Sequence, residues 1–467
     1  MSLDYEIYPL KKLNEGASVF SGFAFKSNDF SDEGIPIVKI KNIQNKSVDL
    51  KEVQYFPLDK VNNKHKKFFL KNNDVLIAMT GQGSLGRVGR INLESNEYVL
   101  LNQRVGKFVV DEKNLHLNYL YHVISSDMYE KILFDRGTGS GQPNLSPEII
   151  LGTEIPMPNL TIQKKISSIL DNINSKITLN KKINKNLFNI IDFIFKDYVG
   201  DYEDLEIVSL SENTQEIIRG FNSKYVEKSN IKNFNQKVNK GTFLEKQHFK
   251  YLDENIEIPK AKFAKKRDVL VNSLGDGTVG RPHYYNEDTD NVVVDQHITI
   301  IRANEDLIPS TYIYEYLKNS TGQYHLDSLI SGSTGMLMLN ISEIRNLKIP
   351  ILDKKNLREF DTTVTPLFDK ITKNFEEIYC LSKLRDTLLP KLMSGEIDVS
   401  KINCDLKIII RKIYIKSSKL FLWRYLSENK NYIKNTKSNE TLLKSRTIYK
   451  INKFLAKFNA RYRYYRQ

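Results

Sequence analysis

The feature that most constrains this chain is an internal repeat with a period of about 194 residues. Residues 73–87 align without a gap on residues 267–281, and each glycine of the first stretch falls on a glycine of the second. Further matches at nearly the same offset pair Gly22 with Gly220, Gln103 with Gln296, Tyr119 with Tyr312, Ile155 with Ile349 and Ile166 with Phe360. Solenoid repeats run about 20–50 residues, so a period this long indicates duplicated domains.

Each copy combines strand and helix signals in the same order. Short apolar runs that end before glycines, and longer runs with partial alternation, predict strands, whereas two later segments have the spacing of helices. The strand runs are residues 74–80, 97–110, 268–274 and 291–302, and the helical segments are residues 117–133 and 311–329. The residues of each module therefore predict a mixed α/β fold.

A much longer helix is predicted after the globular part of each copy. Thr161 is a suitable N-cap and Gly200 a suitable stop for the first helix, which spans roughly 57 Å at about 1.5 Å per residue. In the second, Pro366 predicts a kink or a restart with Thr365 as N-cap. Apolar residues at helical spacing are Ile162, Ile166, Ile169, Ile173, Ile183, Leu187, Ile190 and Ile194 in the first helix and Phe360, Val364, Leu367, Ile371 and Ile378 in the second.

The two apolar stripes predict that the long helices pair with each other as a spacer. Strict continuation from Ile173 places Lys176 and Asn180 inward, and a polar pair at such positions could fix the register with one partner helix. Two ordinary amphipathic helices packed on separate domain cores are the alternative.

Composition limits the class of protein. No secretory leader begins the sequence and no apolar run reaches about 18 residues, so we expect a cytoplasmic protein without a membrane partner. Cys380 and Cys404 are too few for a disulfide framework and are not spaced as metal ligands. The net charge is +14, but residues 401–467 alone carry +15, which leaves −1 for the first 400 residues. Overall charge is therefore no argument for a DNA-binding face in the modules.

The aligned glycine stretches at residues 81–86 and 275–280 both satisfy GxGxxG after a strand. A dinucleotide site also needs a helix that begins at the third glycine, and Pro282 and β-type residues follow instead, which argues against that site. The first stretch also lacks the Lys-Ser/Thr ending of a phosphate loop. A tight hairpin with positive φ is one interpretation, and a loop that lets the backbone and Arg87 or Arg281 approach DNA is the other.

A second polar loop, residues 137–144, follows Arg136 and corresponds to residues 331–335. Its backbone N–H and hydroxyl groups could contact phosphates, although a plain strand-to-helix connection explains it equally well. The DNA-binding candidates are Gly81, Gly83, Arg87, Gln103, Arg104, Arg136, Ser140, Gln142, Gly275, Gly277, Arg281, Gln296, His297 and Ser333.

No catalytic or metal-binding constellation stands out in the sequence. The seven histidines are scattered without an HExxH motif, and we find no nucleophile elbow, no paired-carboxylate motif and no Asn/Asp-Pro-Pro-aromatic signature of an amino-methyltransferase. Two near-equal modules with no catalytic residues in common favour recognition over chemistry.

Taken together, these motifs resemble the specificity subunit of type I restriction-modification enzymes over residues 5–402. The resemblance is carried by DVLIAMTGQGSLGRVG, LNQRVGKF, GSGQPNLSPEI, IPMPNLTIQKKISSILD and LRDTLLPKLMSGEIDVSKI. It implies target-recognition domains at residues 1–158 and 201–352, each reading one half of a split DNA sequence. It places spacer helices at residues 159–200 and 353–402.

The resemblance also implies that the helices pair antiparallel, set the gap between half-sites and dock two modification (methyltransferase) subunits, while two restriction subunits complete the enzyme. S-adenosylmethionine would belong to the modification subunits and ATP with Mg to the restriction subunits, with no cofactor and no active site in this chain. The expected fold class is α+β (mixed α/β), with two duplicated globular domains separated by two long antiparallel helices that form a coiled-coil-like, pseudo-two-fold spacer.

Two departures from the family pattern leave alternatives open. Residues 403–467 extend past the usual end, either as a basic DNA-binding or docking arm or as a disordered or frame-shifted tail. The modules diverge at residues 30–70 and 226–262, so we expect them to read different half-sites. A self-contained methyltransferase or nuclease, and a helical scaffold that lacks salt-dependent binding to duplex DNA, are the competing functions.

Overall fold

The computed structural model of the chain describes residues 8–44, 46–138, 143–200, 205–222, 224–275, 277–332 and 337–400. These residues form two compact units, residues 8–177 with 380–400 and residues 178–379. No helix in these ranges is long and apolar enough to cross a membrane. The basic extension, and with it the choice between an arm and a tail, lies outside the described residues.

The first module consists of strands and short helices that precede a long helix. Its strands are β1 (Leu10–Lys12), β2 (Ala17–Ser21), β3 (Ile35–Val38), β4 (Ile43–Gln44), β5 (Ser47–Val48), β6 (Gln54–Phe56), β7 (Val75–Ala78), β8 (Val88–Arg90), β9 (Leu100–Leu101), β10 (Val105–Val110) and β11 (Glu154–Pro156). Its helices are α1 (Leu117–Ile124), α2 (Asp127–Gly137) and α3 (Pro147–Leu151), and the long helix is α4 (Leu160–Val199). The sheets have the strand orders β2-β10-β7-β8-β5-β4, β6-β3-β9 and β1-β11.

The second module repeats this order. Its strands are β12 (Glu206–Ser209), β13 (Thr214–Arg219), β14 (Tyr225–Val226), β15 (Lys232–Phe234), β16 (Lys250–Leu252), β17 (Asp268–Asn272), β18 (Pro282–Tyr285), β19 (Val292–Val294), β20 (Ile298–Ala303), β21 (Ile330–Ser331), β22 (Met338–Leu339) and β23 (Lys348–Ile351). Its helices are α5 (Ser310–Lys318), α6 (Ser320–Ser328) and α7 (Ile341–Asn346), followed by the long helix α8 (Lys354–Ser394). The sheets are β13-β20-β17-β18, β14-β16-β15-β19, β12-β23 and β21-β22.

Equivalent contacts in the two modules confirm the duplication. The antiparallel order β10-β7-β8 of the first module recurs as β20-β17-β18 in the second. The Tyr119 hydroxyl donates to the Pro156 carbonyl, and the Tyr312 hydroxyl donates to the Pro350 carbonyl, both at 2.9 Å. Each bond joins the first short helix of a module to the strand that precedes the long helix. The mixed α/β fold class is thus confirmed in both copies.

Each predicted helical segment is divided into two helices by a polar residue that caps the second one. Ser126 Oγ accepts a hydrogen bond from Tyr129 N at 3.3 Å at the start of α2. Asn319 Oδ1 accepts from Gly322 N at 2.8 Å at the start of α6. Ser and Asn are good N-caps because their side-chain oxygens satisfy the free N–H groups of the first turn.

The long helix α4 begins and ends at polar and glycine signals in the sequence. Asn159 Oδ1 accepts from Ile162 N at 3.0 Å, so the prediction of Thr161 as N-cap was wrong. Asn159 supplies the capping oxygen two residues earlier, which places Thr161 inside the first turn. At the other end Gly200 adopts φ +56° and donates to the Lys196 carbonyl at 3.1 Å, which confirms the predicted stop.

The long helix α8 is continuous through Pro366. The prediction of a restart with Thr365 as N-cap was wrong, because the Thr365 hydroxyl donates instead to Asp361 Oδ1 at 3.0 Å within the helix. A proline inside a helix costs about 3 kcal/mol. Burial of Val364 and Phe368 on the same stretch offsets that cost.

The buried stripe of α4 has the alternating four-three spacing of a coiled coil. Lys176 is only half-buried, so the expectation that it points inward was wrong, and Ile177 takes the inward position. The stripe runs through buried Ile166, Leu170, Ile177, Asn180, Asn184, Leu187, Ile191 and Ile194, with half-buried Ile173 in the same pattern. Ile162, Ile169, Ile183 and Ile190 are half-buried beside it, and Gln163, Ser167, Phe195 and Val199 are also buried. On α8, Phe360, Val364, Leu367 and Ile371 are buried and Ile378 is half-buried.

Polar contacts in the second unit show that α4 and α8 pack antiparallel. Asn374 Nδ2 donates to Asn184 Oδ1 at 2.6 Å, and Asn180 Nδ2 donates to Glu377 Oε2 at 2.7 Å. Residue numbers therefore increase along α4 where they decrease along α8, which is the pattern of an antiparallel pair. Asn180, Asn184 and Asn374 are buried. Their amides are satisfied in one register only, because any slip would leave buried polar groups without partners.

An aspartate on α4 holds the first module to that helix. Asp171 accepts from Arg90 Nη2 at 3.2 Å, His122 Nε2 at 2.9 Å and Asn118 Nδ2 at 2.8 Å. Burial lowers the pKa of His122, so its ring is neutral at pH 7 and Arg90 supplies the positive charge. Burial alone would raise the pKa of Asp171, but these contacts hold that pKa below its ordinary value.

An aspartate on α8 holds the second module in a similar way. Asp361 accepts from Arg267 Nη2 and from the Thr311 hydroxyl, both at 2.7 Å. Arg267 has a left-handed backbone with φ +76°, as does Asn73 with φ +70° at the aligned position. The turn before β17 therefore places a guanidinium where it can reach both α8 and Glu305, which it contacts at 2.8 Å.

Buried Glu315 of α5 should make the stability of the second unit depend on pH. Its carboxylate lies 2.8 Å from Lys318 Nζ, which is also 2.6 Å from Asp192 of α4. Burial raises the pKa of Glu315 from 4.5 to about 8, so the folded chain keeps a proton that the unfolded chain loses. The free energy of unfolding should fall as pH rises from about 4.5 to 8, by about 1.4 kcal/mol for each unit of pKa difference.

Glu315→Gln should remove this component, because Lys318 keeps Asp192 as its partner. Denaturant unfolding of both chains at pH 5 and pH 8 measures the effect, with the exposed Glu212→Gln as control. The same pH dependence in wild type and Glu315→Gln would rule out this role for Glu315.

Candidate nucleic-acid interface

In the first module, three segments with predicted DNA contacts meet just past the end of β7. Met79 N donates to the Arg104 carbonyl at 3.0 Å, and Leu145 N donates to the Met79 carbonyl at 2.8 Å. Residue 79 is therefore bonded to the turn before β10 on one side and to the end of the polar loop on the other. Thr80 and Asn144 form a further backbone bridge, and the glycine loop begins at the next residue.

The second module brings the aligned segments together through the same bonds. Ser273 N donates to the His297 carbonyl at 2.8 Å, and Leu339 N donates to the Ser273 carbonyl at 2.9 Å. Leu274 bridges to Met338, as Thr80 does to Asn144 in the first module. Segments that are far apart in the sequence thus form one edge of each module.

The glycine loops at these edges are tight turns that need left-handed residues. Gly86 N donates to the Ala78 carbonyl at 2.9 Å and Gly280 N to the Asn272 carbonyl at 2.8 Å, so each loop closes a hairpin. The φ angles are +103° and +76° at Gly81 and Gly86, and +112°, +66° and +79° at Gly275, Gly277 and Gly280. The hairpin interpretation is confirmed. The hydrogen bonds that close each hairpin also fix the position of its exposed tip.

The turn before β10 and its counterpart before β20 each pack against an aligned glycine. A Cβ on Gly22 would lie 2.3 Å from the Asn102 carbonyl oxygen, and a Cβ on Gly220 would lie 2.1 Å from the Asp295 carbonyl oxygen. No side chain fits at such distances, so glycine is required at both positions. This close packing fixes the turns that carry Gln103 and His297.

The described candidates differ in exposure. Gly83, Arg87, Gln103, Arg104, Arg136 and Gly277 are exposed, whereas Gly81, Gly275, Arg281, Gln296 and His297 are half-buried. Ser140, Gln142 and Ser333 lie outside the described residues. Arg136 donates to the Thr153 hydroxyl at 3.4 Å, just after α3. Among the described residues, no hydrogen bond or ion pair joins its side chain to the glycine loop or the turn before β10.

Charge is presented differently on the two edges. Arg87 and Arg104 make no ion pair with any described residue and are exposed. Arg281, aligned with Arg87, donates to the Asn239 carbonyl at 3.2 Å and to the Gly277 carbonyl at 3.3 Å. The first edge thus carries exposed arginines, and the second carries a guanidinium group that is fixed by backbone oxygens.

The turn residues also differ between the modules. Asn102 Oδ1 accepts from Arg104 N at 3.2 Å, whereas Asp295 at the aligned position bonds His297 Nδ1 at 2.8 Å and accepts from the Tyr225 hydroxyl at 2.9 Å. Burial and the Asp295 charge raise the pKa of Tyr225 to about 12, so this phenol remains a donor at neutral pH. The two edges therefore offer different hydrogen-bonding groups.

Comparison with known proteins gives a consistent answer. Residues 5–189 match the family described as type I restriction modification DNA specificity domain. The MjaVIII specificity subunit of Methanocaldococcus jannaschii is 27% identical over 179 residues, 38% of this chain and 42% of that protein. The MjaIX specificity subunit of the same organism is 26% identical over 325 residues, 63% of this chain and 72% of the relative. Residues 5–189 thus match the DNA specificity domain family, and the chain is similar to type I specificity subunits over most of its length.

A solved specificity subunit has the same fold. The S subunit of the M. genitalium type I restriction-modification system aligns with a TM-score of 0.55 at 15% identity, over 84% of this chain and 98% of that one. Specificity subunits are the non-catalytic components of these enzymes, in line with the expectation drawn from the motifs. Within the described residues, no group of three or more His, Cys, Asp and Glu side chains could hold a metal ion.

Sequence reasoning missed several residues at the edge of the second module. Lys240, Gly241 and Lys318 lie next to the glycine loop, around a cleft that also includes Arg281. Lys46, in the corresponding turn of the first module, was missed as well. These turns fall in or beside the stretch where the modules diverge, so the repeat alignment gave no pairing for them.

Proposed function

We propose that this chain binds duplex DNA through the two aligned edges, each of which reads one half of a bipartite target. The recognition domains would occupy residues 1–158 and 201–352. The long helices would set the distance between half-sites and dock two methyltransferase subunits, and two restriction subunits would complete the enzyme. S-adenosylmethionine, ATP and Mg would act in those partners. The observation that carries the proposal is the repeated meeting of glycine loop, turn and polar loop.

The chemistry of the exposed side chains supports DNA as the ligand. Arg contacts guanine or phosphate with a pair of donors, and Gln is suited to adenine. Gln103 and Arg104 are exposed at the first edge, and Gln296 and His297 occupy the aligned turn of the second. Because the groups differ, the two modules would read different half-sites.

Mapping of methylated sites tests the proposal. Cells that express the chain with its modification partner should show one motif of two half-sites separated by a fixed unread gap. The double change Gln103→Ala and Arg104→Gln should weaken recognition of one half-site by roughly 1–3 kcal/mol per lost base contact, which is about 5–150-fold. Gln296→Ala with His297→Ala should affect only the other half-site.

Lys113→Gln is the matched control. Lys113 is exposed and lies just after β10, whereas Gln103 lies just before that strand. A motif that keeps both half-sites in both double variants would contradict the proposed edges. Purified chain that shows no salt-dependent binding to duplex DNA would contradict DNA recognition itself and favour the scaffold alternative.

A further inference from the structure

The turn between β4 and β5 of the first module carries a lysine that is paired with acids. Lys46 has a left-handed backbone, with φ +63°. Its ammonium group lies 2.7 Å from Asp127 Oδ1 and 3.6 Å from Glu130 Oε2, and it also contacts the Ser125 carbonyl. The side chain therefore fills the space between this turn and the start of α2.

The corresponding turn of the second module, residues 240–243, carries Thr242 at the position of Lys46, because Asn239 bridges to Leu244 as Ile43 pairs with Val48. Gly241 is left-handed there, with φ +78°, and its carbonyl lies 2.8 Å from His283 Nδ1 of β18. The helix positions that face Lys46 in the first module, Ser125, Asp127 and Glu130, become Lys318, Ser320 and Gln323 at an offset of 193. Both acids are lost and a lysine is gained, so the charge of the space is reversed.

The space left by these changes is an open cleft of about 340 Å³. It is lined by the turn at residues 240–242, the end of the glycine loop at residues 277–282, and the side of α5 and α6. Thr242, Thr278 and Gln323 line it together with three cationic residues, Lys240, Arg281 and Lys318. The Thr278 hydroxyl already donates to the Gly275 carbonyl and the Gln323 amide to the Gly280 carbonyl, both at 3.2 Å. We refer to this space as the second-module cleft.

The cations of the cleft outnumber the charged acids around them. Lys240 pairs with Glu245 at 3.3 Å, and Lys318 pairs with Asp192 at 2.6 Å. Lys318 also contacts Glu315, which is mostly protonated at pH 7 because burial raises its pKa to about 8. Arg281 is held by two backbone carbonyls and has no carboxylate within 4 Å among the described residues. A guanidinium fixed in this way is preorganised for an anion.

We propose that the second-module cleft binds an oxyanion of the phosphate class, held by Arg281 and Lys240 with the Thr242 hydroxyl. The first module has no such site, because Lys46 and its two acids occupy the corresponding space. The anion is either a phosphate of the DNA backbone, in which case the inference rests on the proposed function, or a free phosphate compound. In the first case the second module contacts a DNA phosphate at a position where the first module makes no such contact.

Two binding measurements on the full chain test the site. Duplex affinity is measured by fluorescence anisotropy between 50 and 300 mM salt for wild type, Lys240→Gln, Arg281→Gln and the control Lys348→Gln, an exposed change on β23. One lost phosphate contact should lower the slope of log affinity against log salt by about 0.9. Pyrophosphate alone is titrated into the same four chains by calorimetry.

The outcomes separate the two sources of the anion. A lower salt slope in both cleft variants, with no pyrophosphate heat, identifies a DNA phosphate. Pyrophosphate binding by wild type and Lys348→Gln but not by the cleft variants, with unchanged slopes, identifies a free phosphate compound. Equal slopes in all chains together with no pyrophosphate binding would overturn the site. If no chain binds duplex, the proposed function fails while the pyrophosphate arm still decides the cleft.

Discussion

Removing one heptad from each long helix, residues 173–179 of α4 and 378–384 of α8, is expected to shorten the gap between half-sites by about three base pairs. Seven helical residues span about 10.5 Å, and each base pair of duplex DNA rises about 3.4 Å. Both half-site sequences should stay unchanged, because neither deletion touches a recognition edge. This is the direct test of the helices as the element that sets the spacing.

The deletion has to remove a whole heptad because the seam of α4 repeats every seven residues. The deleted α4 segment contains seam positions Ile173 and Ile177, and the deleted α8 segment contains Ile378 and Leu381. Antiparallel pairing places the two segments opposite each other, since Arg385 Nη1 donates to Asn174 Oδ1 at 3.1 Å. Seam positions on either side of the cut therefore stay in phase.

Methylation mapping in cells with the modification partner measures the spacing directly. Deletion of four residues from each helix, at 174–177 and 379–382, is the control, because it shifts the seam out of phase and should lower the melting temperature. An unchanged gap in a heptad-deleted chain that is folded and active would show that the helices do not set the spacing.

The architecture could be predicted from the sequence because the chain contains two copies of the same module. Aligned glycines and tyrosines serve the same contacts in both copies, as the bonds from Tyr119 and Tyr312 to a proline carbonyl show. The length of α4 and its stop at Gly200 followed from periodicity and from the freedom of glycine at positive φ. These are local or repeated signals, which a single sequence carries in full.

The seam of the helix pair was predicted less well, because the pattern was read from isoleucines. The buried stripe passes through Asn180 and Asn184, and half-buried Ile183 and Ile190 lie beside it. Polar residues join a buried seam only when a partner satisfies them, as Asn374 does for Asn184. That partner is 190 residues away in the chain, so tertiary structure was needed to recognise it.

The sequence predicted the glycine loop, the turn and the polar loop as separate segments. Their meeting at one edge of each module is seen only in the structure. Nothing in the sequence indicated that Met79 would bond to both Arg104 and Leu145. The second-module cleft could not be predicted from the sequence for a different reason. It depends on the exchange of Lys46 for Thr242 in turns whose sequences have diverged, so that only the matching strand pairs Ile43–Val48 and Asn239–Leu244 reveal the correspondence.

Replacing Asp171 with Ala is expected to lower the free energy of unfolding of the first unit by about 2–3 kcal/mol. The carboxylate accepts from Arg90, His122 and Asn118, and its loss leaves the nearly buried His122 N–H without an acceptor. Removing one partner of a buried ion pair costs roughly 3–5 kcal/mol, and an unsatisfied buried donor about 1–3. Since the Asp171 side chain is 25% exposed, the lower part of that range applies.

Denaturant unfolding of Asp171→Ala beside the exposed control Asp135→Ala measures this loss. Asp171→Asn should lose less than Asp171→Ala, because its amide oxygen still accepts one of the three hydrogen bonds. A second measurement separates stability from positioning. If Asp171 fixes how the first module sits on α4, methylation below the melting temperature should tolerate gaps one base pair longer or shorter, with both half-sites unchanged. Wild-type stability in Asp171→Ala would mean that apolar packing of α1 on α4 holds the module without the aspartate.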